Sequence, residues 1–542
     1  MKSINTRRCR SILLITALLF IGATGLVDTR CFAQSAVKNP SPTPTPSPAA
    51  AKPSPTPSAQ TIEDLQTKIR TRIIRPEVRR GQIGIRIVSL NTGKVIFDEN
   101  SEKYFMPASN MKNFTVATAL ERLTPDFRFV TSVFAAAVPD TDGVVKGNLR
   151  IYGRGDVSIS TAFSNGNYYK GLDDLAGMIS AAGVKKIGGS IVADDSYFKG
   201  DPIPSGWEWD DLQWYYGAEV SALPLNDNAV DLTVRPGPAG YSCSVTLSPY
   251  NPVYRVRNLC TTTAAGTPRT LKIVKALGQN QLEITGTLPR GNAGFSGAVT
   301  VSRPAELFAA LLKQRLELKG ITVTGQYRTF TVAASAPLVE SVEIAKMESP
   351  PLSLIAAKTM KPSQNMYTET LLWTLGEEAR RRPSNAGLSS ATPAPQQDSS
   401  EMGIADVKNF LTGIGIAPDG IIQYDGSGLS RHDLITPAAV VQLYVYMAKQ
   451  SKYAQTWRDS LTIGGVDGTL ANRFKGTAAA GNMRGKTGTI DQVSALSGYV
   501  TTGSGEQLVL SIIVNGVALT RERTSLIDDI VVELANFKGK ID

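Results

Sequence analysis

A chain of 542 residues, 42% of them hydrophobic, is long enough for two or three buried cores and has none of the compositional marks of global disorder. Its formal charge of +10 sits partly in the first 33 residues, which hold Lys2, Arg7, Arg8, Arg10 and Arg30 against Asp28. The remaining charge includes no dense basic run interleaved with aromatics, which argues against a nucleic-acid binder and suits weak attraction to anionic polymers, including peripheral association with membrane or wall.

Residues 1–33 read as a signal peptide: the basic region is followed by an apolar stretch over 11–27 and by the small residue Ala33, after which cleavage is expected. The apolar run is slightly short for a spanning helix, so an uncleaved anchor is the lesser reading. Residues 34–61 are rich in Pro, Ser and Thr, and read as an extended tether without a core. Order begins near Ile62 with a helix. Alternating Ile83, Ile85 and Ile87 predict a strand over 82–89, the turn Asn91-Thr92-Gly93 follows, and 95–97 continues as a second strand. A helix is expected from Ser109 through Leu120. From Val130 to about Val339 short strands alternate with Gly, Pro and Asp, interrupted by a helical pattern over 302–318. Helices resume at Leu352, near Met402 and at Thr436, with a low-complexity surface loop over 381–400. Strands over 493–501 and 507–514 precede a helix over 520–537, whose Ile527, Ile530, Val531 and Leu534 share one face. With Cys9 and Cys31 in the leader, Cys243 and Cys260 remain as a close pair. A local disulfide in an oxidising compartment is expected, with two buried thiols as the alternative.

The chemistry is narrowed by what is scarce. His432 is the only histidine, which excludes a multi-histidine metal site, and it lies in Ser427-Gly428-Leu429-Ser430-Arg431-His432 with no nucleophile-elbow pattern. A serine can instead be activated by a lysine that has shed its proton. Ser109 and Lys112, spaced i to i+3 at a predicted helix start, supply that pair on one face. The same four-residue pattern at Ser35 and Lys38, or at Ser196 and Lys199, has no helical context. Ser363-Gln364-Asn365 opens another helix-like run; its hydroxyl suits a proton relay and its amide a substrate contact. Lys486-Thr487-Gly488-Thr489 stands directly before the last strand pair, where a strand can pair with an extended substrate, Lys486 and the hydroxyls can hold a carboxylate, and Gly488 permits close approach. The glycines of Gly481 to Thr487 imitate a nucleotide-binding loop but stand one residue too close and lead into strands, so no cofactor is expected.

In this order the motifs resemble the low-molecular-mass class C penicillin-binding proteins, the D-alanyl-D-alanine carboxypeptidase/endopeptidases with a large insertion between the first two motifs. The resemblance extends to Gly153-Arg154-Gly155-Asp156, Asp194-Asp195-Ser196-Tyr197-Phe198, Leu223-Pro224-Leu225-Asn226-Asp227-Asn228 and Asp425-Gly426-Ser427-Gly428. It implies an α+β fold: a penicillin-binding/serine β-lactamase-like transpeptidase domain, an antiparallel sheet flanked by helices, interrupted by a mostly β insertion. The expected catalytic domain covers 62–136 and 341–542, and the insertion, read as two small domains, covers 137–340. The implied partners are peptidoglycan peptide stems and β-lactams, in the periplasm or cell envelope. Ser109 is the implied nucleophile, Lys112 its base, Ser363 and Asn365 the proton shuttle and acyl-amide contact. Lys486, Thr487, Gly488 and Thr489 are the implied carboxylate site, with the N–H groups of Ser109 and Thr489 as oxyanion hole. Asp156 and Arg431 are expected to grip the free end of a diaminopimelate-type side chain. Gln364 stands where many relatives have Asp, and Arg154 where they often have Gly. A class A β-lactamase would need a Glu-x-x-Leu-Asn pattern that the chain lacks, and a silent wall-binding scaffold would need no lysine-activated serine.

Overall fold

The computed structural model describes residues 60–330, 340–382 and 397–541. The expected signal peptide and nearly all of the expected tether lie outside them. Residues 59–542 form one compact unit.

The centre of the catalytic part is a six-stranded antiparallel sheet ordered Val95–Glu99, Gln82–Ser89, Gln507–Asn515, Val493–Thr501, Arg484–Ile490, Thr462–Ile463. The N-terminal hairpin therefore closes on the last strand of the chain, with Ile85 opposite Ile512. Side chains alternate across a strand, and 507–515 is apolar on both sides. Leu508, Leu510, Ile512 and Val514 face helices α1 (Ile62–Ile73) and, at the chain's end, α10 (Thr520–Asn536). Val509 and Ile513 enter the opposite core, built on α2 (Lys112–Leu123). A capping box starts α1, Thr61 accepting from Asp64 N while the Asp64 carboxylate accepts from Thr61 N.

The insertion has its own sheet, ordered Tyr327–Thr329, Ile191–Asp194, Leu149–Tyr152, Val130–Ala135, Val342–Glu348, covered by α3 (Lys170–Ala181) and α4 (Pro304–Leu318). The boundaries expected at 137 and 340 fall inside this sheet, because Val130–Ala135 and Val342–Glu348 pair with each other as its entry and exit strands. The two passages meet where Phe129 N donates to Ser349 Oγ and Ser349 N to Phe129 O. Helix α3 was not expected; its Leu172, Leu175, Ala176 and Ile179 are buried at helical spacing in a stretch whose Gly and Asp residues read as turns. Three- and two-stranded sheets occupy residues 229–300. After the insertion come α5 (Leu352–Met360), α6 (Asn365–Arg381), α7 (Ser399–Gly413), α8 (Pro437–Lys449) and α9 (Ala454–Ser460), largely covering the second core. The expected loop over 381–400 is flanked directly by α6 and α7, and 383–396 lies outside the described residues.

Candidate active site

Ser109 stands in a 3-10 turn, Ala108–Met111, that runs straight into α2. Ala108 has a left-handed backbone, φ 46°, which an L-residue adopts only when its surroundings impose it. Gly428 and Gly488 leave room for it: a Cβ on Gly428 would lie 1.8 Å from Ala108 O, and one on Gly488 would lie 2.5 Å from Pro107 O. The turn is thereby clamped between the 425–428 loop and strand Arg484–Ile490.

Lys112 is fully buried, with Nζ 2.9 Å from Ser109 Oγ, 2.6 Å from Asn365 Oδ1 and 2.8 Å from Ser427 O. An amide oxygen and a backbone carbonyl can only accept. An uncharged amine has two N–H donors and one lone pair, so those two acceptors use both donors and leave the lone pair for the Ser109 hydroxyl, the one partner able to donate. Burial lowers the Lys112 pKa to about 7, against the opposing pull of Asp425, Glu369 and Asp433. That pull is blunted, since burial and the Asp425 charge raise the pKa of both Glu369 and Asp433. Asp425 is tied into its own loop: it accepts from Gly428 N at 2.5 Å, Ser430 N at 2.8 Å and Trp207 Nε1 at 2.8 Å.

The other two motifs close the same cleft. Ser363, itself at φ 67°, precedes α6 and accepts a 2.8 Å hydrogen bond from Lys486 Nζ. Lys486 also donates to Thr487 O at 2.9 Å. Burial, followed by the charge of Lys112, pushes its pKa well down, and no carboxylate offsets this. An anion arriving beside Lys486 favours its charged form. Asn365 Nδ2 donates to Tyr216 O at 2.9 Å, so this amide is engaged at both ends. Asn110 Nδ2 donates to Lys486 O at 3.1 Å, stitching the turn to the strand. Ser109, Ser363, Asn365, Thr487 and Thr489 all line one cleft of about 770 Å³.

Residues 65–537 match the family described as the D-Ala-D-Ala carboxypeptidase 3 (S13) family. The chain belongs to that family. A D-alanyl-D-alanine carboxypeptidase of Actinomadura sp. (strain R39) is 34% identical over 493 residues, 89% of this chain and 86% of that protein. The D-alanyl-D-alanine carboxypeptidase DacB of Haemophilus influenzae is 26% identical over 80% of this chain and 85% of its own length. A crystal structure of penicillin-binding protein 4 from H. influenzae superposes with a TM-score of 0.73 at 23% identity, covering 89% of this chain and all of that one. The expected α+β, penicillin-binding fold with an insertion is therefore the fold this S13 member has.

Not every candidate read from the sequence reaches the S13 cleft. Arg431 does: its Nε lies 3.0 Å from Glu208 Oε2 and its guanidinium donates to Asp491 O at 3.1 Å. Asp156 does not. It is buried in the insertion, where its Oδ1 accepts from Ser158 N and Ser158 Oγ, and burial raises its pKa to about 6. It borders a different cavity, with Phe163 and Lys170. The carboxylates that share the cleft with Arg431 are Asp491 and, on a loop of the insertion that sequence reasoning passed over, Glu208, Asp210 and Asp211. Its run Trp207-Glu208-Trp209-Asp210-Asp211, acidic and aromatic together, was the available signal. Also missed was the tie between the domains at the second motif: Gln364 Nε2 donates to Asp227 Oδ2 at 3.0 Å, and Tyr367 OH to Asp227 Oδ1 at 2.5 Å. Cys243 and Cys260 are joined, S–S 2.01 Å. His432 packs against Tyr424 with the rings tilted, and residues 484–490 form a strand paired with 493–501.

Proposed function

We propose that this chain is a serine D-Ala-D-Ala carboxypeptidase that acts on peptidoglycan stem peptides through an acyl-enzyme on Ser109 and is acylated by β-lactams. The observation that carries the reading is the fully buried Lys112 amine at 2.9 Å from Ser109 Oγ. Ser109 gives its proton to Lys112 as Oγ attacks the carbonyl carbon of the penultimate D-alanine. The N–H groups of Ser109 and Thr489 stabilise the developing oxyanion. The C–N bond then breaks, the leaving D-alanine amine takes a proton by way of the Ser363 hydroxyl, and water hydrolyses the ester. Lys486, Thr487 and Thr489 receive the terminal carboxylate, whose negative charge offsets the burial that pushes the Lys486 pKa down. In the same cleft, Arg431 with Glu208, Asp210 and Asp211 suits a side-chain end bearing both ammonium and carboxylate, the diaminopimelate type; Asp156 borders a different cavity.

The same reading places the protein in the cell envelope, exported by the leader, which is removed after Ala33, and set on its tether. Among the described residues no helix is long and apolar enough to cross a membrane.

Intact mass after penicillin treatment, followed by peptide mapping, tests the site. One adduct on Ser109 is expected, together with release of D-alanine from a peptide ending in D-Ala-D-Ala. An adduct on another serine refutes the assignment; a folded protein that forms none is a scaffold; an acyl-enzyme that turns over within seconds is a β-lactamase.

A further inference from the structure

Charge is distributed unevenly over the folded body. Residues 229–300 hold seven basic side chains, Arg235, Arg255, Arg257, Arg269, Lys272, Lys275 and Arg290, against two acidic ones, Asp231 and Glu283. That is a balance of +5, whereas residues 60–542 as a whole carry 50 basic and 46 acidic side chains, a balance of +4. The rest of the body is thus slightly negative, and its positive charge is a property of this one subregion.

The sheet there presents the charge outward. Strands Arg255–Asn258, Gln281–Thr285 and Lys272–Lys275 lie side by side, with Arg257, Glu283 and Val274 in register, Arg255 beside Gln281 and Lys272 beside Thr285. Residues in register share a face. Leu282 and Ile284, on the other face, are fully buried, so the arginines and Lys272 occupy the solvent side. Arg257 is paired with Glu283 at 2.9 Å; among the described residues Arg255, Arg269, Lys272 and Arg290 enter no ion pair. Exposed apolar side chains lie on this face and in the segments beside it, Val274 (42% exposed) in register with Glu283. Leu259 is 50% exposed and continues the Arg255-Arg257 row. At the opposite end of the sheet, Tyr250 (80% exposed) precedes strand Arg255–Asn258 and Leu277 (59% exposed) caps the adjoining turn. Six of the nineteen well-exposed large hydrophobic side chains among the described residues fall within 229–300. None of these residues lines the cleft.

We propose that this face docks on an anionic lipid surface, the basic residues meeting headgroups and Tyr250, Leu259 and Leu277 entering the interfacial layer. A dissolved polyanion would satisfy the charges but leave the apolar side chains in water; a bilayer surface satisfies both. The inference is separate from the acylation chemistry and stands whichever serine reacts.

The test is co-sedimentation of residues 59–542, the compact unit, with vesicles of phosphatidylcholine alone or mixed with phosphatidylglycerol, at low and high salt. Binding to the anionic vesicles only, weakened by salt, is expected. A basic residue at such a surface contributes roughly fivefold, so the triple variant Arg255→Gln, Arg257→Gln, Lys272→Gln should bind on the order of a hundredfold more weakly. The variant Leu259→Ser, Leu277→Ser should also lose affinity for vesicles while keeping any affinity for dextran sulfate. Melting curves confirm that the variants fold. The proposal is overturned by absence of binding, by equal binding to neutral vesicles, by a triple variant that binds like the parent, or by a Leu→Ser variant with unchanged vesicle affinity, which would mark a site for soluble polyanions.

Discussion

The pH dependence of acylation tests the site most directly. The perturbation is pH itself, acting on Lys112, whose pKa burial lowers to about 7. Only the uncharged amine has a lone pair for the Ser109 proton, so the rate should follow its unprotonated fraction. With a pKa near 7, that fraction is roughly a tenth at pH 6 and a hundredth at pH 5. The second-order rate of acylation by a fluorescent penicillin, measured by stopped flow from pH 5 to 9, should therefore climb about tenfold per unit at the acid end and level off above pH 8. Asp425 is the strongest of the charges that hold the Lys112 proton in place. Asp425→Asn removes a negative charge, lowers the lysine pKa further and moves the midpoint to lower pH, provided a melting curve shows the variant folded. A flat profile, a rate still climbing at pH 9, or a midpoint that moves upward in Asp425→Asn would refute the reasoning.

Other expectations follow from the same geometry. Gly488→Ala places a methyl 2.5 Å from Pro107 O, which must push the strand off the Ser109 turn; acylation should fall by at least a hundredfold, read as adduct formed per minute. Arg431→Gln should raise KM for peptides with a charged side-chain end and leave benzylpenicillin acylation unchanged, since the guanidinium bonds to Glu208 and Asp491 O and not to Ser109, Lys112 or Ser363. Cys243→Ser with Cys260→Ser opens a link across a sequence separation of 17 and should cost about 3 kcal/mol of unfolding free energy by denaturant titration of that region.

The proposed nucleophile and base were legible because their relation is local: i to i+3 at a helix start brings Ser109 and Lys112 together whatever surrounds them. The alternation of Ile83, Ile85 and Ile87 likewise revealed one strand, while the last strand is nearly continuous in apolar residues because it is buried on both sides. Asp156 misled for the complementary reason. Its motif is a local pattern, while the cavity a carboxylate faces depends on how the insertion folds back, and that fold-back brings Glu208, Asp210 and Asp211 to the cleft instead. The junctions of the insertion were displaced because strands 130–135 and 342–348 are recognised only by pairing with each other across two hundred residues of chain.

The sequence by itself determined which groups this protein has for chemistry: one histidine, a serine-lysine pair on a helical turn, and two further motifs in fixed order. Only the tertiary structure decided what those groups can do. Bringing Lys486 beside Ser363 and setting Lys112 between Asn365 and Ser427 are contacts between distant parts of the chain, and the burial they create, which no neighbouring residue in sequence supplies, is what lowers the Lys112 pKa to about 7.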